Sequence, residues 1–453
     1  MAAIEHAYQY IAPSSVSLKG SPRLVLATSS PGIERHPYFF EGQLRYPRLC
    51  AELLTAVHRV VGSRFFIPAN TLAHILMLAD PVVTSGGGML RFEGFSSCCS
   101  AYIRADLLPS AYSGDIVGKG TTNVDFNAPM CAALARVRDA DRLALSIGQK
   151  ELALQTGSDR VVEKKVSLPV RWLRGMLEVQ SYQASMRKMI EVSGLEALRF
   201  FRLLPKTSTS KTPLWVTVGP FGLRTSTRPD SQGVRFVETN RLRLLEPLLP
   251  KVQSLSIYAD ERQQASAWVL NFTGARLTLV ISAEVWRGFS GEGQALHALM
   301  QADEVDALSR IRAHLQWQPS LRTGEVVRDL ALSEQSVADT LRVLGVSGLV
   351  GFDVFENAYF HRVLPFDLSL AEDMHPRLAG ARQLIKEGAV RLLRHAPVEA
   401  SVRSGDVEHH VREVDGELRC TCPWFAKHQG MRGPCKHVLA VEACKADEGG
   451  QAK

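Results

Sequence analysis

The stretch that most constrains this chain is CTCPWFAKHQGMRGPCKH, close to its carboxy terminus. It sets Cys420 and Cys422 one residue apart, then twelve intervening residues, then Cys435 and His437 one residue apart. Two close pairs of soft or borderline donors suit one tetrahedral zinc ion, which takes thiolate sulfur and imidazole nitrogen without redox chemistry. A C-x-C pair in an extended turn directs both sulfurs to one ion, while Cys435 and His437 sit on the first turn of a helix. The apolar face of that helix, Val438, Leu439, Val441 and Ala443, is expected to pack on two preceding strands, VEASVRS and EHHVREV. Structural zinc contributes about 10 to 16 kcal/mol of apparent binding free energy to units of this kind, so the metal is expected to fold this one. The four donors close the coordination shell, and the residues between them, TCPWFAKHQGMRGP, include no Asp or Glu to serve as general base. The expected role is structural, not catalytic.

Neighbouring donors fit less well. His428 breaks the paired spacing and reads as a solvated loop residue. Cys444, seven residues beyond His437, falls roughly 10 Å up the helix axis and reads as a packed thiol. His409 and His410 are adjacent on a strand and point to opposite faces, so they cannot both join the same ion.

In spacing and order the motif resembles the SWIM-type zinc finger. Pro423, Trp424 and Phe425 follow the first pair as that family's aromatic segment does, and PCKHVLAVEA matches its turn into a closing helix. The resemblance implies a ββα module held by one structural zinc ion on Cys420, Cys422, Cys435 and His437, used to contact protein or DNA. A long α+β region followed by a terminal finger is similar to the bacterial stand-alone members of the family. Those are often encoded with a MoxR-type AAA+ ATPase and a von Willebrand factor A protein, which makes such a pair the implied partners. The chain has no ATP-binding motif of its own.

With 453 residues, 45% hydrophobic and 22% charged, the chain is long enough for several packed units and is neither a disordered tail nor a fibre. Its eight cysteines are too few for a disulfide scaffold: Cys50, Cys98, Cys99 and Cys131 are scattered, and the rest crowd at the end. The opening MAAIEHAYQYIAPSSV has no basic segment leading into an apolar one, and AWVLNFTGARLTLVIS is interrupted by Arg276. A soluble cytoplasmic protein with reduced thiols and no membrane partner is expected.

The expected fold class is α+β and multidomain. An α/β-mixed region covers 1–302, where Leu49, Leu53, Leu54, Val57, Val60 and Val61 repeat at helical spacing. TSGGGMLRFEGFSSCCSAYIRADLL reads as a hairpin or short sheet. A helix at 128–137 precedes strands at 143–147 and 152–155, and the same order of helix then strands recurs after Asn240. That order alone suggests two related subunits, about 80–204 and 205–302. Residues 303–366 read as three helices and two strands resembling a winged helix, with Val326, Leu330, Val337, Leu341 and Leu344 as core and Asn357 near the wing tip. A helical linker at 367–397 leads to the finger at 398–453.

Lys and Arg exceed Asp and Glu by 34 − 24 = +10 over 1–302, by 6 − 9 = −3 over 303–366, and by nothing beyond. The positive excess therefore lies outside both recognition-like modules, and the expected recognition helix carries Glu334 and Asp339 against Arg342. A basic helical region, Arg171, Arg174, Arg187, Lys188, Arg199, Arg202 and Lys206, reads as a solvated face. SGDIVGKGTT fails as a phosphate loop, since Gly120 follows Lys119, and Cys98-Cys99 reads as buried strand residues. With no catalytic set recognisable, the expectation is a zinc-binding, non-enzymatic adaptor or regulator with a protein partner. The alternatives are a DNA-binding regulator using the winged helix and finger, and an unrecognised enzyme within 80–300.

Overall fold

The computed structural model describes residues 15–17, 23–25, 38–66, 81–116, 120–123, 126, 128–148, 151–156, 159–164, 170–205, 212–289, 293, 296, 305–318, 320–364 and 375–450. Most of the loop-rich start, part of SGDIVGKGTT, and Lys206 lie outside the described residues. Among those described, no helix is long and apolar enough to cross a membrane. The chain has mixed helix and strand content arranged in several sheets.

After a two-stranded sheet of Ser15–Ser17 and Arg23–Val25 come the strands Tyr38–Leu44 (β1), Val82–Gly86 (β2), Met89–Phe95 (β3), Ala101–Leu107 (β4), Tyr112–Ile116 (β5), Gly120–Asn123 (β6), Leu143–Gly148 (β7), Glu151–Thr156 (β8) and Asp159–Lys164 (β9). Then follow Arg187–Ser193 (β10), Leu214–Gly219 (β11), Gly222–Ser226 (β12), Val234–Phe236 (β13), Ser254–Ala259 (β14), Ala265–Phe272 (β15) and Ala275–Ser282 (β16). A five-stranded sheet runs β9-β8-β7-β1-β5, and an eight-stranded antiparallel sheet runs β10-β14-β15-β16-β4-β3-β2-β6. The large sheet draws on both stretches read as subunits, because β4 pairs with β16, Ala105 opposite Leu277.

Every residue of β4 and β16 is buried, so both faces of the sheet centre are covered. Helix α1, Pro47–Gly62, packs on β3 and β4 from one side. It buries the stripe Leu49, Leu53, Leu54, Val57, Val60 and Val61, as its helical spacing requires. Helix α2 is Ala128–Arg136 and helix α3 is Val170–Ser185.

The basic region after α3 is interrupted by strand β10 before helix α4, Gly194–Leu203. Ile190 and Val192 are buried while Arg187, Lys188 and Glu191 are exposed, a period of two that fits a strand. Ser193 and Glu196 form a capping box that starts α4. Cys98 and Cys99 occupy the turn between β3 and β4, not a strand; Cys99 is buried at φ +56° and Cys98 is only half-buried.

Residues 303–366 contain helix α5 (Val305–Trp317), Ser320–Leu321 (β17), helix α6 (Thr323–Leu330), helix α7 (Glu334–Val346) and the hairpin Val350–Asp353 (β18) with Ala358–His361 (β19). Ser333 caps α7 by accepting from the Ser336 N–H. Val326, Val337, Leu341 and Leu344 are buried, Leu330 packs against them, and Asn357 takes a left-handed conformation at the hairpin turn.

Last come helix α8 (Pro376–Lys386), Val390–His395 (β20), Val398–Ser404 (β21), Val407–Val414 (β22), Glu417–Cys420 (β23), helix α9 (Pro423–His428) and helix α10 (Lys436–Gly450). The strands form a four-stranded meander in chain order, so β20, within the stretch read as linker, is the edge strand of the finger's sheet. Helices α8 and α10 pack together and against this sheet.

Candidate metal centre

A strand end, a tight turn and a helix start bring the four donors together. Cys420 closes β23 with its side chain buried, and its Sγ accepts from the Cys422 N–H at 3.4 Å. Cys422 is the N-cap of α9, its Sγ accepting from the Phe425 N–H at 3.4 Å, with Pro423 suited to the first helical turn. Left-handed Gln429, Gly430 and Gly433 then reverse the chain, and Cys435 accepts from the Val438 N–H at 3.4 Å as α10 begins.

The donor atoms of Cys420, Cys422, Cys435 and His437 all lie within 4.8 Å of one another, and all four residues are buried. Cys420 Sγ stands 3.7 Å from His437 Nδ1. Zinc bonds of about 2.3 and 2.0 Å at a tetrahedral angle separate sulfur and nitrogen by roughly 3.5 Å, so the spacing fits. Nδ1 therefore faces the sulfurs, while the His409 ring packs on that of His437 at 4.4 Å.

Burial, helped by His409 and Lys436, lowers the His437 pKa to about 4, which leaves the imidazole neutral and able to ligate at neutral pH. A hydrogen bond with Cys420 and burial push the Cys435 thiol far up, and burial raises Cys422. Thiols crowded this closely hold their protons unless a cation supplies compensating charge, which is what a zinc ion does for thiolate ligands. The Cys3His set is consistent with one structural zinc ion. His428 is outside the cluster with its ring against Trp424 at 4.3 Å, His410 is exposed on the opposite strand face, and Cys444 is half-buried further along α10.

The finger is fastened to the body through the start of β23 and the loop between its ligand pairs. Arg287 donates to the Met431 carbonyl, and Arg262 pairs with Glu417. Arg377, at the start of α8, donates to the carbonyls of Arg432 and Pro434 at 2.8 and 2.9 Å while its guanidinium lies 4.4 Å from the Trp424 ring. Gly433 is pressed against the Gly293 backbone, leaving no space for a Cβ. A cleft of about 1460 Å³ separates finger and body, lined in part by α7 through Glu334, Ala338 and Arg342.

A second constellation went unread in the sequence. On β3, β4 and β16 the rows Arg91–Asp106–Arg276 and Glu93–Arg104–Thr278 stand side by side on the sheet face opposite α1. The hairpin of β18 and β19 covers this face. Arg104 meets Asp106 at 2.8 Å and Asp353 at 3.0 Å, Arg362 meets Glu93 at 2.9 Å, and the Tyr102 hydroxyl donates to Glu93 at 2.6 Å. The Phe360 ring underlies Arg91 at 4.0 Å and Arg104 at 5.3 Å. Burial alone would raise Asp353, but Arg104, Arg276 and Arg91 outweigh it and hold the carboxyl at about 2. The available signal was the spacing of charges by two in RFE and RAD, which reads equally well as a strand face turned to water.

Residues 409–446 match the family model described as SWIM zinc finger. No curated protein matches the chain. Among solved structures, Proliferating Cellular Nuclear Antigen from Entamoeba histolytica overlays with a TM-score of 0.36 at 9% identity, covering 54% of this chain and 98% of that one. The C-terminal region of FEN-1 bound to A. fulgidus PCNA gives 0.37 at 10% identity, covering 54% and 97%.

Proposed function

Taking residues 409–446 as a SWIM zinc finger, we propose that the chain is a non-enzymatic, zinc-structured adaptor whose finger and body together hold a protein partner. The observation that carries this reading is the buried Cys3His set, whose four protein donors would fill the tetrahedral shell of a structural zinc ion. The docking of the finger through Arg287, Arg262 and Arg377 supports it further, since a fixed module presents a shaped surface. The first partners to test are those the resemblance implies, a MoxR-type AAA+ ATPase and a von Willebrand factor A protein. Proteins co-purifying at endogenous levels are compared between the intact chain and a Cys420→Ser, Cys422→Ser variant. A specific partner lost with the variant is expected, and an identical set from both would refute the role of the finger.

One observation favours DNA as a second reading. Arg391, Arg394, Arg403, Arg412 and Arg419 share the outer face of the finger's sheet, as its register dictates. Glu399 neutralises part of this charge by pairing with Arg412 at 3.0 Å and Arg394 at 3.6 Å. Helix α7 is poorly suited to reading bases, because Glu334 and Asp339 lie on it and it borders the cleft. Duplex binding that weakens steeply with salt supports the DNA reading, and no binding at low salt eliminates it.

A further inference from the structure

Part of the +10 excess of residues 1–302 lines a groove on the body. A groove of about 620 Å³ runs between α1, the end of α2 and the turn at 244–248. Along α1 it is lined by Arg48, Glu52, Thr55, Ala56 and Arg59, a single stripe at spacings of three and four. At 1.5 Å per residue, Arg48 and Arg59 are about 16 Å apart along the axis. Arg136 and Arg138 form the opposite wall.

Between these cations the floor is apolar: Leu134, Val137, Leu244, Pro247 and Leu248. Among the described residues the lining holds one carboxylate, and it is already neutralised, since Glu52 pairs with Lys251 at 2.7 Å and with Arg48 at 3.0 Å. Asp139 approaches Arg48 only at 4.0 Å. The groove therefore presents a net positive rim around an apolar strip, within the size range of small binding sites.

We infer that this groove docks a short acidic peptide of a protein partner, its carboxylates placed to either side of apolar side chains. Charge complementarity requires an anion. The length of the arginine stripe favours an extended ligand over a compact phosphate, which could engage only one end. The apolar floor favours a peptide over a nucleic-acid backbone, whose phosphates would leave that strip uncovered. The inference deepens the adaptor reading and rests on it only for the expectation of a protein partner.

The test pans a display library of random dodecapeptides against the intact chain, the Cys420→Ser, Cys422→Ser variant and an Arg59→Glu, Arg136→Glu variant. Sequences rich in Asp and Glu around Leu or Phe are expected on the first two and lost on the third. A synthetic copy of a selected peptide should bind at least tenfold more weakly to an Arg59→Gln, Arg136→Gln variant, which removes charge without reversing it. Its affinity should also fall as salt rises. The inference is overturned by absence of acidic enrichment on the intact chain, by equal recovery on the charge-reversed variant, or by equal peptide affinity for the neutralised one. Complete displacement of the peptide by inorganic pyrophosphate would also overturn it, in favour of a compact anion. The groove lies on the body, so loss of finger-dependent partner capture and loss of peptide selection are separate results.

Discussion

Arg104 and Asp353, far apart in the sequence, meet at 3.0 Å with both side chains buried. The pair ties the large sheet to the hairpin of β18 and β19, and Arg104 also donates to the Phe352 carbonyl at 2.7 Å. Buried ion pairs add little net stability compared with an apolar packing of the same shape, but losing one partner strands the other charge. Here the surrounding charges come close to balance: Arg91, Arg104, Arg276 and Arg362 face Glu93, Asp106 and Asp353, with Glu356 at the margin.

Replacing one member should therefore be costly. Arg104→Met is expected to destabilise the sheet–hairpin interface by about 3 to 5 kcal/mol, and Arg104→Met with Asp353→Leu by less than the sum of the single changes. Thermal unfolding of the four proteins in a double-mutant cycle measures this; additive effects would show that the pair is not coupled.

Acid should loosen the same interface. Asp353 is held at about 2, below the ordinary carboxyl value, so its contribution is fully present above pH 4 and lost as pH falls from about 4 towards 2. Hydrogen exchange at 350–361 should rise over that window in the native chain, and Asp353→Asn should remove much of the pH dependence.

Metal analysis is expected to give about one zinc per chain. Cys435→Ser should abolish zinc binding and expose the amides of α9 and α10 to exchange. Because Arg287, Arg377 and Gly293 grip the ligand loop, protection should fall around 287–293 and 375–380 as well. A metal-free preparation with unchanged protection at the carboxy terminus would contradict this.

Gly433 joins the ligand loop to the body at φ +75°, where a side chain is strained and a Cβ would strike the Gly293 backbone. Gly433→Ala should weaken finger docking while leaving zinc stoichiometry unchanged. The separation is measurable by metal content together with limited proteolysis between the units.

Thiol reactivity should be uneven among the cysteines outside the finger. Burial would raise Cys98, yet hydrogen bonds with Ser100 and Ser96 more than offset it and lower its pKa, whereas burial pushes Cys50 up to about 12. At mildly alkaline pH, iodoacetamide should label Cys98 well before Cys50, as read by mass spectrometry of the folded chain.

The donor set was legible because it is local: two close pairs within one short segment carry their own chemistry, and the backbone turns that join them are short. The stripe of α1 and the core of α7 were legible for the same reason, since helical spacing alone assigns a buried face. The start of α4 could have been read from Ser193 and Glu196, but an irregularity between Lys188 and Ile190 confines the period of two in β10 to its last few residues, too few to stand out beside two helices.

Tertiary structure decided everything that depended on which distant element covers a given face. Arg91, Glu93, Arg104 and Asp106 alternate with apolar residues in a way that suits a face turned to water, and only the packing of Phe360, Asp353 and Arg362 against them makes that face an interior. The finger was foreseen as a module, yet its attachment through Arg262, Arg287 and Arg377 comes from residues whose charge carries no local sign of its destination. Spacing along the chain reports chemistry within a turn or two of helix or strand, whereas an ion pair across the chain depends on how whole sheets and helices come to rest against each other.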